Sequence, residues 1–89
     1  MTEQEILNRV TAVVRDQLDD DEVSLTMDTV AKAVDGWDSL AHVRIMVAIE
    51  ESFGIEFRTS DISGLDNVGD LVRLIEASRL RAIGGRGAD

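Results

Sequence analysis

Apolar residues recur at helical spacing from the start of the chain. The first such stretch follows Thr2 and Glu5, whose spacing matches a capping box at the start of a helix. We therefore predict a helix from about Thr2 to Leu18. Its apolar stripe consists of Ile6, Leu7, Val10, Val13, Val14 and Leu18.

A second helical pattern extends from Ser39 to Phe53. Asp38 stands before it as a good N-cap residue, and Gly54 follows it at the position where helices commonly end. Rotation by about 100° per residue separates two apolar regions on this helix. The region assigned to the core contains Ile45, Met46, Ile49 and Phe53.

The long connection between these helices, residues 19–38, opens with an acidic run that suits a solvated surface. Apolar residues are spaced through it, so we expect it to be pinned to the helices rather than featureless. A short helical turn is expected near Val30 to Val34. The residues expected to pin the connection are Val23, Leu25, Met27, Val30 and Val34.

Two further helical segments follow a short extended link after Gly54. Thr59 or Ser60 could cap a short one, and Asp66 or Asn67 caps a last long one. The pattern predicts an all-α, four-helix bundle with three long helices, one short helix and a long first loop. We expect a single domain over residues 1–83 and a disordered tail over residues 84–89, which are rich in glycine.

The net charge of −9, from 18 acidic and 9 basic residues, limits the possible partners. A nucleic-acid binder needs cations to displace counterions from phosphate, and this chain would be repelled by nucleic acid or an anionic membrane. We expect protein partners with basic patches and a monomeric state. The start of the chain lacks the basic and apolar regions of a signal peptide, so a cytoplasmic location is expected.

Metal and disulfide sites are not predicted. The chain has no cysteine. The acidic segments 19–22 and 35–38 lack the alternating ligands, central glycine and distant glutamate of a calcium loop. The core must be aliphatic, because the only aromatic residues are Trp37, Phe53 and Phe57.

The segment that carries the chemistry is Asp38-Ser39-Leu40, followed by a helix that ends in Glu50, Glu51, Phe53, Gly54 and Ile55. This combination resembles the acyl carrier protein family, whose Asp-Ser-Leu signature stands at residues 38–40. The resemblance covers nearly the whole chain in length and element order. It implies a non-catalytic carrier with a 4′-phosphopantetheine arm on Ser39, which holds acyl groups as thioesters.

The physics of a helix start agrees with this resemblance. If Asp38 is the N-cap, Ser39 is the first helical residue and lies at the positive end of the helix dipole, where a phosphate is favoured. A catalytic Ser39 would need a base, and His42 is the only histidine. With no third residue to orient the imidazole and too little chain to enclose a substrate, catalysis is not expected.

The outward side of the second helix is the expected docking surface, because the resemblance implies that carriers present this helix to their enzymes. We call this surface the docking strip. Its residues are Leu40, Val43, Arg44, Val47, Glu50 and Glu51.

Three residues depart from the pattern of fatty-acid carriers. Ala41 and Arg44 stand where many of those carriers have acidic residues, and Trp37 before the signature is more familiar from carriers of specialised pathways. The resemblance implies as partners a phosphopantetheinyl transferase, an acyl-loading ligase or acyltransferase, and a ketosynthase or other acyl-transfer enzyme.

Cargo and role stay open at this point. The cargo could be fatty acyl, polyketide or aminoacyl, and the aliphatic core could admit a chain temporarily. The alternative function is a helical interaction adaptor that never carries a prosthetic group.

Overall fold

The computed structural model describes the backbone of residues 1–87 and the side chains of residues 1–82. Every regular element in this part of the chain is helical. The elements are α1 (Glu3–Leu18), a 3₁₀ turn (Ala31–Ala33), α2 (Ser39–Phe53), α3 (Thr59–Ile62) and α4 (Val68–Gly87). The predicted all-α architecture, with three long helices, one short helix and a long first loop, is confirmed.

The predicted capping box starts α1. The Thr2 hydroxyl accepts the Glu5 N–H at 3.1 Å, and the Glu5 carboxylate accepts the Thr2 N–H at 3.0 Å. The bond from the Thr2 backbone is the main reason why the pKa of the Glu5 carboxyl lies below its usual value. The helix ends at Asp19, which adopts a left-handed conformation with φ of 51°.

The core lies where α1 packs against both α2 and α4. It is aliphatic as expected, and Trp37 is its one aromatic member among the residues classed as buried. Phe53 was predicted to be a core residue, but it is only half-buried. Its ring lies at the edge of the bundle under the Arg9 guanidinium, 4.7 Å from the ring centroid, and Arg9 also donates to the Ser52 carbonyl at 2.7 Å. The side chains that are fully enclosed are Ile6, Val10, Val14, Ile45, Ile49, Val72 and Ile75.

The long first loop is held at two places. Arg15 of α1 donates from Nε to the Val23 carbonyl at 2.7 Å, and Val23 and Leu25 are buried. Val30 was expected to help pin the loop, but it is exposed at the extended position directly before the 3₁₀ turn. The expected helical turn near Val30 to Val34 is confirmed as Ala31–Ala33.

The second attachment of the loop is to the first turn of α4. The N–H groups of Val68 and Gly69 donate to the carbonyls of Thr29 and Met27, at 2.8 and 2.7 Å. The first N–H groups of a helix have no acceptor inside the helix, so the loop satisfies donors that would otherwise need water. The Gly69 backbone comes so close that a Cβ there would lie 2.7 Å from the Met27 carbonyl oxygen.

The caps of the two later helices differ in how well they were predicted. Asn67 caps α4, since its side chain accepts the Asp70 N–H at 2.9 Å. The cap of α3 was predicted to be Thr59 or Ser60, but the helix begins at Thr59 and Arg58 occupies the cap position. The Asp61 carboxylate accepts the Arg58 N–H at 3.2 Å and thereby fixes this start from inside the helix.

The last helix also extends further than predicted. Residues 84–87 were assigned to a disordered tail, but the structure includes them in α4. Helix propagation adds one hydrogen bond for each residue fixed, which lets a helix nucleated by its packed first half continue into a glycine-rich segment. Residues 88–89 lie outside the described residues, and the boundary of the domain at residue 83 stays a prediction.

We expect Gly69→Ala to destabilise the protein by roughly 1–3 kcal/mol, because the added methyl must displace the Met27 carbonyl and break its hydrogen bond. Gly64→Ala is the matched control, since a Cβ at residue 64 meets nothing within 4 Å. Surface changes of that kind stay within about 0.5 kcal/mol. Urea unfolding measures the free energy of unfolding of both variants. Equal stability of the two variants would show that the loop is not fixed to α4 through this contact.

Candidate functional site

The start of α2 is fixed by its cap residue. Asp38 has extended backbone, and its Oδ1 accepts the Ala41 N–H at 2.8 Å. Its own carbonyl accepts the His42 N–H at 2.8 Å, which closes the first turn. Ser39 is therefore the first helical residue, as predicted, and the signature residues 38–40 lie together at this end of the helix.

Ser39 is exposed, and so are Asp38 and Leu40 on either side of it. The N–H groups of the first helical turn have no acceptors within the helix, and the helix dipole adds partial positive charge at this end. The Asp38 carboxylate accepts the Ala41 N–H and thereby caps the helix start. The residues present thus fit a phosphate ester on Ser39.

The side chain before the cap is anchored to the helix after it. Gly36 adopts φ of 86°, which turns the chain so that the Trp37 N–H bonds to the Val34 carbonyl at 3.1 Å. The Trp37 indole is buried, and its Nε1–H donates to Nδ1 of His42 at 3.0 Å. This bond was not predicted from the sequence, because it depends on how the turn at Gly36 directs the indole toward the helix.

This bond also defines the role of the His42 Nδ1 atom. An indole N–H can only donate, so Nδ1 of His42 is the acceptor in this bond. The half-buried His42 ring is hydrogen-bonded to Trp37. Among the contacts that the structure describes, no third side chain orients a base toward Ser39. The arrangement does not form a nucleophile–base–orienter series.

The outward side of α2 exposes a row of apolar side chains next to Ser39. Leu40, Val43 and Val47 are 63, 59 and 47 % exposed, whereas Ile45, Met46 and Ile49 are buried. Apolar residues three and four positions apart lie on one face of a helix, so these three form a continuous stripe.

The charged members of the docking strip differ in how free they are. Arg44 and Glu51 are exposed. Glu50, in contrast, is half-buried, and its Oε2 accepts the Phe57 N–H at 2.8 Å. Its carboxylate ties the link after α2 to the helix, so Glu50 offers less free charge than the sequence pattern suggested.

The described residues were also considered for metal-binding groups and membrane-spanning helices. They contain no group of three or more histidine, aspartate or glutamate side chains placed to hold a metal ion. None of the helices in this part of the chain has both the length and the apolar character needed to cross a membrane.

Comparison with known proteins gives one consistent result. Residues 4–75 match the family model described as the phosphopantetheine attachment site. Acyl carrier protein from Prochlorococcus marinus (strain MIT 9515) is 35% identical over 79 residues, which are 89% of this chain and 99% of the relative. Acyl carrier protein from Helicobacter acinonychis (strain Sheeba) is 37% identical over 71 residues, 80% of this chain and 91% of the relative.

A solved structure agrees with these relatives. The solution NMR structure of holo acyl carrier protein from Geobacter metallireducens superposes with a TM-score of 0.82 at 35% sequence identity. The match covers 89% of this chain and 91% of the other. The similarity therefore extends to the whole arrangement of helices and not only to the residues around Ser39.

We expect Asp38→Ala to cost about 1 kcal/mol, because it removes the acceptor for the Ala41 N–H. For a domain of this size that corresponds to a fall in melting temperature of roughly 4–8 °C. Asp38→Asn is the control, since asparagine caps helices about as well as aspartate. Thermal unfolding followed by circular dichroism measures both. A melting temperature for Asp38→Ala equal to that of Asp38→Asn would contradict the assignment of Asp38 as the cap.

Proposed function

The chain belongs to the acyl carrier protein family, and from that membership we propose that Ser39 is the residue that carries its 4′-phosphopantetheine prosthetic group. The observation that supports this most directly is the position of Ser39, exposed and first in α2 behind a cap bond of 2.8 Å. When bound, the group supplies a terminal thiol that holds an acyl cargo as a thioester, which the cysteine-free chain cannot do itself.

The residues around Ser39 have separate tasks in this proposal. Asp38 fixes the first turn, and the free N–H groups of that turn favour the negative charge of the phosphate ester. The serine oxygen is open to an approaching transferase because its neighbours in sequence are exposed. The protein itself is a non-catalytic carrier, and the chemistry on the cargo belongs to the enzymes that bind it.

Those enzymes are proposed to bind the docking strip. The apolar stripe of Leu40, Val43 and Val47 begins beside Ser39, so an enzyme seated on it has the attachment residue within reach. Glu51 places a negative charge at the end of the strip away from Ser39, and Arg44 places a positive charge between Ser39 and Glu51. The partners proposed from the family are a phosphopantetheinyl transferase, a loading ligase or acyltransferase, and a ketosynthase or other acyl-transfer enzyme.

We also propose that the pathway is a specialised one rather than housekeeping fatty-acid synthesis. Support comes from Arg44, which is exposed in the middle of the strip, where the pattern of fatty-acid carriers is acidic. A like charge placed opposite a basic patch disfavours that partner. Cytoplasmic location and a monomeric state stay predictions.

With coenzyme A and a phosphopantetheinyl transferase, wild-type protein should gain the mass of one arm, and Ser39→Ala should gain none. Ser60→Ala is the matched control, because Ser60 is also an exposed serine in the first turn of a helix. It should be modified like the wild type. Intact-mass spectrometry measures whether the mass of one arm has been added to each protein. Modification of Ser39→Ala would overturn the assignment, and an unmodified wild type would favour the helical adaptor without a prosthetic group.

Arg44→Glu should improve turnover of the loaded protein by a housekeeping ketosynthase, because it removes the like charge from the strip. The gain should shrink as salt rises, since exposed charges are screened over about 10 Å at 0.1 M. Lys32→Glu makes the same change in net charge at an exposed position outside α2 and serves as the control. Efficient turnover of the wild type, equal to that of Arg44→Glu, would replace the specialised pathway with ordinary fatty-acid synthesis.

A further inference from the structure

A small space lined mainly by apolar side chains lies beside residues that are near Ser39 in sequence. It lies between α2 and the start of α4, and its volume is about 40 Å³. An engineered apolar cavity of about 150 Å³ binds benzene. At about 40 Å³ the space in this bundle is several times smaller, so a long acyl chain enters only if the surrounding side chains move. Among the side chains that enclose it are Trp37, His42, Met46, Leu65, Val68 and Leu71.

Two of these side chains flank Ser39 in sequence. Trp37 precedes it by two residues and His42 follows it by three. Trp37 is only 8 % exposed, and its large ring packs with the core. A cargo that left Ser39 and entered the bundle beside these residues would have to move them.

Hydrogen bonds also hold the Trp37–His42 pair in place. The Trp37 indole N–H donates to His42 at 3.0 Å, and the two rings lie 6.2 Å apart with an angle of 29° between their planes. Both ends are fixed to the backbone, because the Trp37 N–H bonds to the Val34 carbonyl and the His42 N–H bonds to the Asp38 carbonyl. Displacing the indole would break this hydrogen bond and expose the buried ring, and both changes are unfavourable.

We propose that the Trp37–His42 pair closes the bundle to the cargo, so that this protein carries short or polar acyl groups that stay outside the core. The inference rests on the proposed attachment at Ser39. It assigns to Trp37 and His42 a role in cargo specificity, which is distinct from the chemistry of attachment. It also replaces the expectation from composition that the aliphatic core admits a chain.

The test compares butanoyl and dodecanoyl forms of the same protein, each made with a transferase and the corresponding acyl-coenzyme A and confirmed by intact mass. A chain buried only in the folded state stabilises that state, so burial raises the melting temperature. The two loaded forms of the wild type should melt at the same temperature. In Trp37→Ala, the dodecanoyl form should melt several degrees above the butanoyl form, because the indole no longer fills the entrance.

His42→Leu is the second variant, and it guards against a Trp37→Ala protein that does not fold. It removes the acceptor for the indole and keeps the tryptophan, so it should show a smaller difference of the same sign. Leu80→Ala, at an exposed position of α4 outside both the cavity and the docking strip, should show none.

Amide spectra provide an independent readout of where the chain lies. In the wild type, the amide signals of Val68 and Leu71, which line the cavity, should be the same in both loaded forms. A wild type stabilised by dodecanoyl, with these two signals shifted, would overturn the proposal. So would the absence of any difference in both cavity variants. A transferase that adds no mass to Ser39 would overturn the proposed function, and this inference with it.

Discussion

The hydrogen bond from the Ala41 N–H to the Asp38 carboxylate, 2.8 Å long, sets where α2 begins, and the geometry of the site depends on that start. With Asp38 outside the helix, Ser39 occupies its first position and is exposed. The same register directs Ile45 and Ile49 into the core. Since successive residues are separated by 100°, it also directs Leu40, Val43 and Val47 outward. The proposed attachment and docking residues are thus placed by a single helix start.

The remaining structure supports this helix from two sides. Aliphatic side chains of α1 and α4 enclose the inward face of α2, and Trp37 and His42 brace its first turn from within. Beyond its end, Glu50 holds the following link through the Phe57 N–H. No step in this scheme requires a catalytic group in the chain. In the proposed function, a small acidic protein with a capped helix start presents one modified serine to several enzymes.

Local signals in the sequence predicted what depends on local contacts. The capping residues Thr2 and Asp38 and the helix-ending Gly54 each act on neighbours within a few positions, so sequence spacing was enough to predict them. For α4 the sequence left two candidates, Asp66 and Asn67, and the structure shows Asn67 as the cap. Some errors arose where segments meet in space, and one was local, because Arg58 rather than Thr59 or Ser60 occupies the cap position of α3. The sequence could not reveal that Glu50 accepts a backbone bond from the link. Nor could it reveal that Phe53 lies under Arg9 of another helix, since both contacts depend on tertiary packing.

The central claim is that one phosphopantetheine arm is attached to the first residue of α2. Tandem mass spectrometry of the modified protein after proteolysis tests it most directly, because it assigns the added mass to a residue without any substitution. The arm is expected on Ser39 alone. An arm located on another serine would contradict it, and the helix start at Asp38 would then have no part in attachment.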